Sequence, residues 1–184
     1  MVTNMALGEA GRIEGMMFPL GRFMARDLRN DDAKMLDEFI IANRDFFETL
    51  TPNWATEYTG ENILASPTGI KQTDRHLWGI FDGEKLIAII DLIANFPSQK
   101  TWSLGQFIID KNYRLKGIGI YLYDRVQTYI LLNSDCGSIR ITVPTSNTVA
   151  MQFWKRNGFE SVRLIKQEVA GLLQDSAVMQ ASFY

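Results

Sequence analysis

Apolar residues recur along this chain with two periods, and the switches between them lay out its elements. Ala33, Leu36, Phe39 and Ile40 follow Asn30-Asp31-Asp32 at helical spacing, so the acidic triplet reads as an N-cap and first turn. Phe46, Phe47 and Leu50 continue that helix or form a second short one, which Pro52 ends. Residues 51–73 are rich in turn formers, with one short helix around 61–64. Strand signals then dominate. The segment 77–81 runs into Asp82-Gly83, a hairpin dipeptide, and 85–93 is the returning strand. A third strand over 102–109 is interrupted by Gly105, where a bulge is expected. Helical period returns with Ile118, Tyr121, Leu122, Val126, Tyr129 and Ile130. A β-branched strand over 138–143 stops at Pro144. A short helix over 147–156 carries Ala150, Phe153 and Trp154 on one side and closes at Asn157-Gly158. Strands over 160–169 and 176–183 complete the chain, and 23–28 is an earlier strand.

This order predicts a mixed α/β domain with one sheet and helices on its faces. The hairpin implies antiparallel pairing in the first half. The strand–helix–strand unit around residue 117 implies a parallel pair. Residues 1–18 are small, polar and Gly-rich without a period and read as a loose arm, leaving 19–184 as a single domain.

Composition narrows the function classes. The 184 residues are 46% hydrophobic, enough for one well-filled core. A net charge of −2 gives no global pull toward nucleic acid or an anionic membrane. No apolar run approaches the ~18 residues expected of a spanning helix. Cys136 is the single cysteine, and no Cys/His cluster has metal-ligand spacing, so no metal and a reducing, cytoplasmic compartment are expected. Cys136 also has no base at local spacing. His76, the only histidine, stands just before a strand, where a surface or hydrogen-bonded role is the simpler assignment.

The chemistry concentrates in Arg114-Leu115-Lys116-Gly117-Ile118-Gly119, between a strand and a helix. A helix start offers unpaired N–H groups and the positive end of the dipole, which suit phosphate. Glycines at 117 and 119 let a bulky anion approach the backbone. The stretch is not a P-loop, since no Gly-Lys-Ser/Thr follows. It is not the dinucleotide fingerprint either, since Leu122 stands where the third glycine belongs. Alone, it is equally well a tight turn or a phosphate site.

A second motif lies about thirty residues on: Asn147-x-x-Ala150-x-x-Phe153-Trp154-x-x-x-Gly158-Phe159. Paired with Arg-x-x-Gly-x-Gly, it resembles the GCN5-related N-acetyltransferase (GNAT) family in element order over roughly 22–183, and sharply over 102–159. Ile109 to Arg114 looks like that family's strand-to-loop entry, and Asp175 to Met179 its closing strand. The resemblance implies a mostly antiparallel sheet of about six or seven strands, splayed in the middle, with helices on both faces. It implies acetyl-CoA as cosubstrate, with the backbone of Leu115, Lys116, Gly117, Ile118, Gly119 and Ile120 cradling the pyrophosphate. Arg114 would support it; Lys116 would do the same or be merely solvated. The backbone of Ile109 would pair with the pantetheine arm, and Asn147 would bond the pantetheine or cap its helix. Phe153 is expected in the core and Trp154 along the cofactor channel.

Two positions depart from the family's pattern. Trp154 stands where many members carry a tyrosine that protonates the leaving thiolate, and an indole is no practical acid. Ser103 stands about where some members carry a glutamate base, and no Asp or Glu lies between Trp102 and Ile109. Ser103 ordering a water, Asp91 on the preceding strand and Trp154 are the candidate catalytic side chains. The acceptor site implied by the family falls over 46–58 and 91–102. There Phe46, Phe47, Trp54, Tyr58, Phe96 and Trp102 supply aromatic area, and Asp45, Glu48, Glu57 and Asp91 supply negative charge. A cationic amine suits that mixture. The resemblance thus implies an N-acetyltransferase, monomeric or homodimeric, acting on a small amine or a peptide N-terminus. The alternatives are an acyl-CoA-binding module with little catalysis, and a generic nucleotide-binding domain.

Overall fold

The computed structural model describes residues 17–169 and 172–183. Most of the expected arm, residues 1–16, lies outside the described residues. The elements are strands β1 (Phe18–Leu20) and β2 (Phe23–Asp27), helices α1 (Ala33–Ala42), α2 (Arg44–Glu48), α3 (Trp54–Glu57) and α4 (Gly60–Leu64), and strands β3 (Arg75–Asp82), β4 (Lys85–Ile93) and β5 (Thr101–Ile109). Helix α5 (Ile118–Asn133), strand β6 (Ser138–Pro144), helix α6 (Thr148–Arg156) and strands β7 (Glu160–Val169) and β8 (Leu172–Ser182) follow. All strands join one eight-stranded sheet in the order β1-β2-β3-β4-β5-β6-β8-β7. Among the described pairs only β5 and β6 run parallel, joined through α5 as the strand–helix–strand unit requires.

The strand beyond the expected seven is β1, which begins at Phe18, the last residue of the stretch read as an arm. Phe18 stacks on Tyr129 at 5.3 Å and meets the edge of Trp78 at 5.2 Å, so this end of the sheet is tied to α5. Its run of three residues around Pro19 is too short to show a period.

Apolar positions sort onto two faces. Ala88, Ile90 and Leu92 of β4 face α5 and α6, where Ile118, Leu122, Val126, Ile130 and Trp154 bury. Leu86 and Ile89 face the other way, onto Leu36, Phe39 and Ile40 of α1, Phe47 of α2 and Ile63 of α4. Each fully buried Leu, Ile or Phe contributes roughly 1.5–3 kcal/mol. At the start of α1, Asp32 accepts two bonds of 2.7 Å from the Arg26 guanidinium and one of 2.8 Å from the Arg29 N–H, fixing the helix to β2.

The expected bulge in β5 is present, and it decides what the site looks like. Leu104 stands opposite Leu92 and Gln106 opposite Asp91, so Gly105 is the extra residue. Strand parity flips there. Leu104 faces α5 and α6, but Ile108, four residues on, faces α1 and α2.

Candidate active site

The sheet opens where β5 and β6 part. They pair only from Thr101 to Leu104 against Ser138 to Ile141. Beyond that, β5 follows β4 to Ile109 while β6 follows β8 to Pro144. The gap forms a slot of about 340 Å³, walled by β5 from Ser103 to Ile108 and by β6 from Ile141 to Pro144. Helix α6 contributes Asn147, Ala150 and Trp154, one helical face. Phe46, Leu50 and Tyr58 line it from the α1–α4 side, and Gln167 of β7 completes it. Two strand edges left unpaired toward each other suit an extended ligand that adds as a strand.

The glycine loop follows β5 directly. Gly117 is left-handed (φ 74°) and caps α5 without a side-chain bond, and a Cβ added there would meet nothing within 4 Å. The first intrahelical bond runs from the Tyr121 N–H to the Gly117 carbonyl (3.0 Å), so the N–H groups of Ile118, Gly119 and Ile120 have no intrahelical acceptor. Leu115 is also left-handed (φ 58°) and its side chain is fully exposed. These features fit an anion at the helix start. Gly119 serves packing: a Cβ there would come 3.1 Å from Phe153 and 3.3 Å from Ile109. Its small size seats α5 against α6 and β5.

Arg114 ties the loop to the rest of the domain. Its Nε donates to the Ile109 carbonyl (2.7 Å), Nη1 to Asp45 (2.5 Å) and Nη2 to the Asn43 side chain (3.0 Å). Asn43, fully buried, also accepts from the Lys111 N–H (2.7 Å). The guanidinium is a clip between the loop entry and the α1–α2 elbow. Ile109 itself is outside the slot lining, which β5 supplies upstream, from Ser103 to Ile108. Lys116 folds back onto the Asn112 carbonyl (2.7 Å) with its side chain at the surface.

Asn147 caps α6, its Oδ1 accepting from the Ala150 N–H at 3.0 Å, a cap worth about 1 kcal/mol. The same residue lines the slot. Trp154 lines the slot and is also core: Phe153, Phe159, Phe107 and Tyr123 surround it with ring centroids 4.8–5.4 Å away. Tyr123 does not substitute for the missing acid. Its hydroxyl is buried with no partner among the described residues, burial pushes its pKa up, and it lies outside the slot lining. Ser103 is in the slot wall, half-buried.

Asp91 is removed from the list of bases. It is 5% exposed and forms a bidentate pair with Arg75, Nε–Oδ1 and Nη2–Oδ2 both at 2.9 Å. Arg75 also donates to the carbonyls of Ile63, Leu64 and Ala65. The pair anchors the end of α4 to the sheet. His76 stacks on Trp102 at 5.0 Å, and neither residue lines the slot.

The expected acidic acceptor site is also corrected. Asp45 is held by Arg114 and Asp91 by Arg75, and none of Asp45, Glu48, Glu57 or Asp91 lines the slot. Of the aromatic set, Phe46 and Tyr58 reach it. Phe47 and Trp102 are core, and Phe96 is exposed on a loop outside the lining. A residue not anticipated from the sequence is Gln106, turned into this wall by the bulge at Gly105. A glycine inside a strand was the signal that parity changes there.

Comparison with known proteins agrees with this fold. The family model described as "Acetyltransferase (GNAT) family" matches residues 39–159. The apo structure of the ribosomal L7/L12 alpha-N-protein acetyltransferase RimL superposes with a TM-score of 0.74 at 14% identity, over 91% of this chain and 94% of that one. The PaiA N-acetyltransferase from Thermoplasma acidophilum, in complex with coenzyme A, gives 0.64 at 18% identity over 88% and 99%. A spermidine N-acetyltransferase SpeG chimera from Vibrio cholerae and hSSAT gives 0.63 at 18% identity over 88% and 96%. No curated protein matches the sequence.

Proposed function

The chain belongs to the acetyltransferase (GNAT) family, and from that premise we propose that it transfers an acetyl group from acetyl-CoA to the primary amine of a small molecule or a peptide N-terminus, by direct attack in a ternary complex. The supporting observation is the pairing of an unpaired β5–β6 slot with an open N-terminus of α5, whose Gly119 packs against Ile109 at the end of β5. The helix start offers three N–H groups and a dipole to the pyrophosphate. The β5 edge offers backbone groups to the pantetheine, and the slot holds the thioester where an amine entering past Phe46 and Tyr58 can reach it.

The chemistry forms a C–N bond and breaks the C–S bond; the amine gives up a proton and the thiolate gains one. Holding both reactants in one slot makes the attack effectively intramolecular, which supplies several kcal/mol. Backbone N–H groups at the unpaired edge are placed to polarise the thioester carbonyl. Among the described residues lining the slot there is no Asp, Glu, His, Lys or Arg. The Tyr58 hydroxyl is held above the ordinary phenol range by burial and by neighbouring Glu57, so it stays protonated near neutral pH.

With no titrating base in the slot, kcat/KM follows the ionisation of the acceptor itself. It is expected to rise tenfold per pH unit until the acceptor's own pKa, about 7.7–8.0 for an α-amine and about 10.4 for a lysine-type amine. At pH 7 about one α-amine in ten is neutral, against about one lysine-type amine in 2,500. Peptide N-termini are therefore the favoured acceptors. A pH–rate profile with a matched pair of such amines checks this. A plateau reached well below the acceptor's pKa contradicts it, because a base elsewhere would then be removing the proton.

Trp154 in the slot wall and Asp91 tied to Arg75 favour one second reading, an acyl-CoA-binding module with little turnover. The two readings differ in thiol release.

A further inference from the structure

Among the described residues, Gln106 is the one slot-lining side chain with a buried polar atom left without a partner: its Oε1 is shielded from water and accepts no hydrogen bond. A buried, unmet acceptor costs stability, and an apolar side chain of similar shape would remove that cost. The residue sits immediately after the bulge at Gly105, opposite Asp91 in register, where parity turns it toward α1 and α2. Its neighbours in the slot on that side are Phe46, Leu50, Tyr58 and Ile108, aromatic and aliphatic. The flanking carboxylates Asp45 and Asp91 are already spent on Arg114 and Arg75. An acceptor oxygen among apolar walls, with the nearest carboxylates already paired, matches a ligand that brings one N–H donor on an apolar body.

Resting on the transfer function proposed above, we infer that Gln106 is the positioning residue for the acceptor: its Oε1 takes a hydrogen bond from an N–H of the incoming amine. The same wall selects a singly charged amine with an apolar neighbour over a polycation. A polyamine entering here would strip water from several charges and meet one amide oxygen in return. An α-amine followed by a small apolar side chain leaves one group to satisfy and covers the rest with Phe46, Leu50 and Tyr58.

The Gln106→Met variant tests this, with a short peptide bearing a free N-terminal alanine and with spermidine as acceptors. Three results are expected together. The variant melts higher than the unmodified protein, by about 2–4 °C, because the orphaned acceptor is gone. Its affinity for acetyl-CoA by calorimetry is unchanged. Its KM for the peptide rises about tenfold with kcat within about twofold, the signature of lost binding shared by ground and transition states. The unmodified protein also shows a higher kcat/KM for the peptide than for spermidine. A variant that melts lower or fails to fold overturns the assignment, since Gln106 would then be a structural bond. An unchanged peptide KM overturns it as well, and a preference for spermidine overturns the selectivity. Failure of the transfer function itself looks different: the unmodified protein binds acetyl-CoA and acetylates neither acceptor, which removes the premise before any variant is made.

Discussion

Replacing Asp91 with alanine is expected to lower the melting temperature by about 6–20 °C while leaving the pH dependence of any surviving acetyl transfer unchanged. Asp91 and Arg75 are both nearly inaccessible, and two bonds of 2.9 Å join the carboxylate to the guanidinium. Removing one member of a buried pair leaves the other charged and unmatched, at a cost of about 3–5 kcal/mol. At about 2–4 °C per kcal/mol for a chain of this size, that gives the range stated. Arg75 would retain the carbonyls of Ile63, Leu64 and Ala65, so the end of α4 is the first place to loosen. Asp91→Asn keeps an oxygen for the guanidinium and should fall by less. Thermal melts of both variants, with pH–rate profiles of the asparagine form, check the account. A catalytic base would behave in the opposite way: stability kept, rate lost.

The second large effect is expected at Gly117. Its positive φ strains most side chains, so a simple charge insertion would confuse conformation with electrostatics. Asn and Asp both tolerate the left-handed region, and a Cβ at 117 meets nothing within 4 Å, so the pair Gly117→Asn and Gly117→Asp isolates the charge. Asp places an anion at the helix start where the pyrophosphate is proposed to sit. Near a protein surface such repulsion reaches a few kcal/mol before salt screens it, and each 1.4 kcal/mol is tenfold in affinity. Gly117→Asp is expected to bind acetyl-CoA about 10- to 100-fold more weakly than Gly117→Asn, by calorimetry at low salt. Equal affinities would place the phosphates elsewhere.

Local signals carried most of the fold. Leu36, Phe39 and Ile40 marked α1 by their spacing, Asp82-Gly83 marked the β3–β4 turn, and Gly105 marked the bulge. The short strand at Phe18–Leu20 escaped because three residues around a proline have no period to show. The site was legible in outline, since the loop and the Asn147 helix are contiguous motifs, and Ser103, Asn147 and Trp154 do line the slot. What escaped was the pairing of charges. Arg114 meets Asn43 and Asp45 across about 70 residues of sequence, which no local pattern reveals. Asp91 escaped through register as well: counting back from Asp82-Gly83 sets it opposite His76, but a bulge at Ile87 shifts the pairing by one, so it stands opposite Leu77 on the face of Arg75. Gln106 escaped for a related reason, since its direction depends on the residue that Gly105 inserts. Register, more than motif, decides which polar groups are free to act.

The measurement that bears most directly on the proposed activity is thiol release from acetyl-CoA with and without a peptide carrying a free N-terminal alanine, scored beside the acetylated peptide by mass spectrometry. Acetyl transfer in the β5–β6 slot predicts free thiol appearing only with the peptide and one for one with acetylated product. Acetyl-CoA bound at the helix start with no thiol released above the peptide-free control would contradict it, and would identify the chain as a binding module instead.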